Sequence, residues 1–266
     1  MPGLDSYLLI YLAVGAIAGL SAGLLGIGGG LVIVPALAIV FQHQGIPPGI
    51  IMPLALGTSL STIVFTSIAS IRSHQQHRAI IWPLVRQLTP GILLGAWLGS
   101  WLAVQIDNNG LKLLFALFEI GVALHLLLDK QPHGHSPLPG RLTTSLAGGI
   151  IGGLSSLLGI GGGTLTVPFL SWHKVLLRKA IASSAACGLP IALSGALGYI
   201  ANGWDIPELP ESSFGYLHLP AFIGIICSSM LLAPVGAGLT HKLPVQHLKK
   251  LFAACLIIIA IRLLLS

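Results

Sequence analysis

Leu24-Leu25-Gly26-Ile27-Gly28-Gly29-Gly30 returns letter for letter as Leu157-Leu158-Gly159-Ile160-Gly161-Gly162-Gly163. Four glycines in five residues cannot hold a helix, since each costs about 1 kcal/mol relative to Ala. Each run therefore breaks the apolar sequence around it. The identity continues outward in the same order. Val34-Pro35 matches Val167-Pro168, and Leu37 matches Leu170. Ala55 and Ser59 pair with Ala180 and Ser184, Gly99 with Gly236, Leu111-Lys112 with Leu248-Lys249, and Phe115-Ala116 with Phe252-Ala253. Matches kept in order along both halves describe a duplicated unit.

The setting of the two runs is lipid. Of 266 residues, 54% are hydrophobic and 8% charged, where a soluble domain carries about a quarter charged. Before Arg72 the only charged residue is Asp5. Ten apolar stretches can be read, at 7–25, 31–41, 50–71, 88–104, 111–128, 142–158, 164–172, 180–201, 216–239 and 248–265. A spanning helix takes about 20 residues. Most stretches reach that length, whereas the second and seventh, which directly follow the glycine runs, reach only about half of it. The polar, Pro/Gly-rich break after Leu128 reads as a linker. The expected organisation is a first transmembrane repeat over 1–129, a linker over 130–141 and a second repeat over 142–266.

Five segments per half is an odd number, so the halves should enter the bilayer in opposite senses. The charges agree. One alternating path gathers Arg72, Arg78, Arg86, Lys130, Arg141, Lys174, Arg178, Lys179, Lys242, Lys249 and Lys250 on one face, which is 11 of the 13 Lys and Arg. By the positive-inside rule that face is cytoplasmic, and both termini lie outside. The fold class expected is an all-α integral membrane protein of two inverted five-segment repeats, with half-length broken helices after the glycine loops. The net charge of +6 thus follows from topology, and no basic face interleaved with aromatics suggests nucleic acid. Cys187, Cys227 and Cys255 lie inside apolar stretches and read as small buried hydrophobes. The N-terminus has no basic region of the kind that opens a cleaved signal peptide.

A glycine run within a membrane must be buried in protein or line a watery cavity, because bare backbone groups are costly in hydrocarbon. A short helix starting just after it offers free N–H groups and the positive end of a dipole. Two such starts make an anion site without Lys or Arg. Four charge-assisted hydrogen bonds contribute about 6–12 kcal/mol, comparable with the several kcal/mol lost in desolvating an ion. The candidate substrate-binding residues are Gly26, Gly28, Gly29 and Gly30, with Gly159, Gly161, Gly162, Gly163 and Thr164. Thr58, Ser59, Ser183 and Ser184 add hydroxyl donors, and Ser155 and Thr166 stand near. The competing role for these small residues is close helix packing and interhelical hydrogen bonding.

Glu119 is an intramembrane carboxylate and so a candidate for proton or cation coupling. Its repeat counterpart is Leu256, which places it outside the duplicated site. His74-Gln75-Gln76-His77 and His133-Gly134-His135 lack a neighbouring carboxylate or Cys set, so no metal is expected. Gly26-Ile27-Gly28 lacks the third glycine of a dinucleotide fingerprint, since Leu31 holds that place. No nucleophile–base set appears, and neither a cofactor nor an enzymatic activity is expected.

Two copies of Gly-Ile-Gly-Gly-Gly followed by Val-Pro, with Ala55-Leu56-Gly57-Thr58-Ser59 and Ala180-Ile181-Ala182-Ser183-Ser184, resemble the TauE/SafE sulfite exporter family over nearly the whole chain. The second copy departs in carrying Ala182 where the first has Gly57. The resemblance implies a secondary transporter of the cytoplasmic membrane moving sulfite, sulfonates or related sulfur anions. The expected partners are a small anionic substrate and the bilayer. Export is the favoured direction, because a potential of 100 mV, negative inside, drives one negative charge outward with about 2.3 kcal/mol. Coupled uptake of a small anion, or a non-transport role in a larger membrane complex, stays open.

Overall fold

The computed structural model describes residues 4–25, 29–128, 138–239 and 245–265. Among these residues ten α-helices follow one another: α1 (Leu4–Leu25), α2 (Gly30–His43), α3 (Ile51–Gln76), α4 (Trp82–Gln105), α5 (Asn108–Leu128), α6 (Arg141–Leu157), α7 (Gly163–Trp172), α8 (Leu177–Asn202), α9 (Leu219–Leu239) and α10 (Val245–Leu265). A 3-10 turn, Pro48–Ile50, leads into α3. By length and composition Pro48–Gln76, Trp82–Gln105, Asn108–Leu128 and Leu177–Asn202 are able to cross a membrane. Each expected apolar stretch corresponds to one helix, and the glycine runs fall between α1 and α2 and between α6 and α7. The short helices differ in length: α2 has 14 residues and α7 has 10, or about 21 Å and 15 Å. Pro35 and Pro168 occupy the sixth position of each and remove one backbone hydrogen bond from it.

The ninth stretch starts later than its hydropathy suggests. Tyr216 and Leu217 are apolar but not helical, because Gly215 at φ +55° turns the chain. Phe214 N–H then donates to Leu217 O, and Ser213 and His218 form an isolated bridge. The linker residues 129–137 lie outside the described residues.

Packing joins the two halves rather than separating them. Helix α1 lies along α9, and α6 lies along α4. Without a hydrophobic driving force in lipid, such pairs rely on close van der Waals approach, which glycine permits. Gly91, Gly95 and Gly99 of α4 press against the backbone at Ser145, Gly149 and Gly153 of α6, and Gly148 and Gly152 face Leu88 and Ile92 in return. The sequence numbers rise together, so α4 and α6 run parallel. In the same way Gly224 meets Tyr11, while Gly15 and Gly19 meet Ile225 and Ser229, so α1 and α9 run parallel.

Helices α3 and α8, of 26 residues each, form the centre. Gly57 approaches Tyr199, Gly195 approaches Leu60 and Gly188 approaches Ser67, so this pair is antiparallel. Leu54, Ala55, Leu60, Ala180, Cys187 and Ile191 are fully buried between the helices and their neighbours. Outward, α4 exposes Leu94, Trp97, Leu98 and Trp101 as an apolar face suited to acyl chains. Trp82, Trp172 and Trp204 stand at helix ends, where amphipathic rings meet the headgroup region.

Candidate functional site

The break after α6 is built by its glycines. Gly159 adopts φ +63°, the left-handed conformation that ends a helix. Its N–H donates to Ser156 O at 3.1 Å, and Ile160 N–H donates to Ser155 O at 2.9 Å, closing the terminus. Three residues later Gly162 caps α7, and its carbonyl accepts from Thr166 N–H at 2.9 Å. In the first half Gly29 caps α2, its carbonyl accepting from Val32 and Ile33, both at 3.0 Å. The N–H groups of Gly162, Gly163 and Thr164 have no acceptor among the described residues, nor do those of Gly30 and Leu31. Both short helices thus begin with unspent donors at the positive end of a dipole.

The two breaks abut. A Cβ on Gly30 would lie 2.6 Å from Gly159 O and 2.9 Å from Ile160 Cα, so only glycine allows this approach. Ser59 of α3 donates its hydroxyl to Gly159 O at 2.8 Å, fastening the second loop to the first half. Gly162 rests on α8, where a Cβ would meet Ser184 O at 2.9 Å and Gly188 N at 3.1 Å. Gly26 and Gly28 lie outside the described residues. Gly29, Gly30, Ser59, Gly159, Gly161, Gly162, Gly163, Thr164 and Ser184 therefore lie in one region around the α2 and α7 starts, with Gly163 and Thr164 half-buried.

Thr58 and Ser183, the aligned hydroxyls, each accept a hydrogen bond from a backbone N–H. Thr58 Oγ1 accepts from His218 N–H at 3.0 Å, and Ser183 Oγ accepts from Ile81 N–H at 3.0 Å. His218 and Ile81 immediately precede α9 and α4, so each hydroxyl satisfies an N–H ahead of a helix of the opposite half. Ser184 donates to Ile181 O within its own helix.

The site is unequal in polarity. Ser155, Ser156, Thr164 and Thr166 carry buried hydroxyl oxygens with no hydrogen-bond partner among the described residues. All four flank the second glycine run. Their counterparts beside the first run are Ala22, Gly23, Leu31 and Ile33. A buried, unpaired hydroxyl is costly, and these polar side chains gather beside the second run and not the first. Ser156 was not among the residues expected from sequence, although the contrast of Ser155-Ser156 with Ala22-Gly23 carries the signal. His218 was also unexpected: it packs against Tyr11 and Phe41 with ring centroids 5.9 Å and 5.0 Å away. Its Nδ1 accepts from Ala221 N–H at 3.3 Å, which gives it a structural post at the start of α9.

Glu119 stands apart on α5, which packs against α10. It is fully buried, and neither carboxyl oxygen has a partner among the described residues. Among the described residues no three His, Cys, Asp or Glu side chains gather into a metal-holding group.

A family model described as sulfite exporter TauE/SafE matches residues 11–263. A probable membrane transporter protein of Haemophilus influenzae is 40% identical over 262 residues, covering 98% of this chain and 99% of the relative. The probable membrane transporter protein MJ0441 of Methanocaldococcus jannaschii is 30% identical over 257 residues, covering 93% and 91%. No solved structure matches the chain. A polytopic helical chain with duplicated glycine breaks, matched along nearly its whole length, is thus a membrane transporter belonging to the sulfite exporter TauE/SafE family.

Proposed function

We propose that this transporter moves a small sulfur-containing oxyanion, such as sulfite or a sulfonate, outward across the cytoplasmic membrane. The observation that carries the reading is the abutment of the two glycine breaks beside the free N–H groups of α2 and α7. Neutral donors suit a carrier: they offset desolvation without the deep well a buried Lys or Arg would create. Thr164, at the start of α7, adds an unpaired hydroxyl beside these N–H groups. The family description names sulfite, which is carried here to this chain.

The transport path follows from an inverted repeat over 1–129 and 142–266, joined by the linker 130–141. Supporting it are the parallel pairs α1/α9 and α4/α6 with the antiparallel pair α3/α8. Phe65 of α3 also meets Phe222 of α9, with ring centroids 5.7 Å apart, as Thr58 meets His218, so α3 and α9 run alike. Helices α1, α3 and α9 then point one way, and α4, α6 and α8 the other, reversing each helix relative to its counterpart. The positive-inside distribution puts both termini outside.

Glu119 supports a second reading, proton-coupled movement, since it is buried and unpartnered. Reconstitution separates the two. Purified chain in liposomes is loaded in turn with sulfite, thiosulfate, methanesulfonate and sulfate, under an imposed potential with no pH gradient. Export by electrical drive predicts flux of one or more of these anions towards the positive side, retained in Glu119→Gln. Flux that needs a proton gradient, and loses that need in Glu119→Gln, assigns coupling to Glu119. A chain that moves none of these anions refutes the transport reading and favours a subunit role.

A further inference from the structure

Beyond Thr58 and Ser59, three hydroxyls along α3 turn back onto their own helix. Ser61 donates to Gly57 O, Thr62 to Ser59 O, and Thr66 to Ile63 O. Ser67 does not. It is only 7% exposed, and its hydroxyl has no partner among the described residues. What it faces is given by Gly188 of α8. A Cβ on that glycine would lie 3.1 Å from Ser67 Oγ and 3.6 Å from Gly162 N. One methyl-sized volume therefore touches a free hydroxyl of the first half and the N-cap nitrogen of α7 in the second.

We propose that Ser67, the α7 start at Gly162 and the bare surface of Gly188 form an oxyanion subsite, in which one ligand oxygen accepts from the Ser67 hydroxyl and the Gly162 N–H. The proposal rests on the anion-transport reading and assigns it a specific seat. Three observations converge on it. The ten-residue helix α7 directs its dipole and unspent N–H groups to this end. A serine more than nine-tenths buried, its hydroxyl without a partner among the described residues, points there from another helix. Gly188 leaves room where any side chain would intrude.

The seat is single. In the repeat, Ser67 corresponds to Ala192 and Gly188 to Ile63. The matching place by α2 thus lacks the hydroxyl and is filled by a branched side chain. The unpartnered hydroxyls of Ser155, Ser156, Thr164 and Thr166 likewise flank the second glycine run and have no hydroxyl counterparts beside the first. An anion leaving the seat meets no equal well in the other half, so release is not slowed by a second binding step.

Titration calorimetry of the purified chain with sulfite, thiosulfate and methanesulfonate tests this. Ser67→Ala removes a hydrogen bond to a charged oxygen and should weaken binding about 10- to 100-fold. Gly188→Ala places its methyl group in the seat, meeting only a hydroxyl at 3.1 Å and a backbone nitrogen at 3.6 Å. It should keep wild-type thermal stability and lose measurable binding. Thr66→Ala, whose hydroxyl is committed to its own helix, should bind as wild type. Wild-type affinity in both Ser67→Ala and Gly188→Ala overturns the subsite and leaves the transport reading standing. If Gly188→Ala fails to fold, Ser67→Ala alone decides. A wild-type chain that binds none of the three anions overturns both.

Discussion

Replacing Gly30 by Ala would force the two glycine breaks apart. The added methyl carbon falls 2.6 Å from Gly159 O and 2.9 Å from Ile160 Cα. Carbon atoms are at ease at about 3.5–4.0 Å, so the loops must separate by roughly 0.6–1 Å. Both atoms are backbone, and no rotamer change relieves the contact. Gly159 O also holds the Ser59 hydroxyl at 2.8 Å, so the same movement strains that hydrogen bond. Overpacking of this kind costs about 1–3 kcal/mol. Gly161 is the natural comparison, because a Cβ there would meet only Ile63 Cγ2, at an ordinary 3.5 Å. Thermal unfolding of the purified variants, followed by tryptophan fluorescence, reads the difference. Gly30→Ala should unfold at a clearly lower temperature and carry sulfite more slowly in liposomes, while Gly161→Ala unfolds as wild type. Equal stability of the two, with full transport by Gly30→Ala, would refute the described abutment.

Other outcomes follow from the same contacts. Thr58→Val and Ser183→Ala each leave a backbone N–H without its acceptor, at His218 and Ile81, and should each cost about 1–3 kcal/mol in thermal unfolding while anion flux per folded molecule persists. Gly95→Val should disrupt the α4/α6 contact at Gly149 and lower the amount of protein recovered from membranes, whereas Gly121→Val, with open space around it, should not. Single cysteines at Ser73 and Glu208, introduced after replacing Cys187, Cys227 and Cys255, should react with an impermeant maleimide from opposite sides of the membrane. Reaction of both from one side would contradict the inverted arrangement.

The repeat, the ten helices and the two breaks are legible in sequence because hydropathy and glycine spacing report them directly. Helix partners are not. That α4 packs on α6 depends on Gly91, Gly95 and Gly99 meeting the backbone at Ser145, Gly149 and Gly153 across 50 or so positions of chain, and periodicity within one helix says nothing about its partner. The hydroxyls show the same boundary. Thr58 and Ser183 stand out by their alignment, yet their oxygens serve the approaches to α9 and α4. Ser67 is one of several α3 hydroxyls in the sequence, and only the approach of Gly188 and Gly162 distinguishes it. Tyr216 and Leu217 look like membrane sequence, but the positive φ of Gly215 places them in a turn.

In the proposed mechanism the paired glycine breaks seat the transported anion. An electron cryomicroscopy structure of the chain in a lipid nanodisc, at saturating sulfite, tests it most directly. Anion density is expected at the start of α7, within hydrogen-bond reach of the Gly162 N–H and the Ser67 hydroxyl and beside Gly188. Sulfite bound away from both glycine breaks, or no bound anion under conditions where the same preparation transports it, would contradict the account.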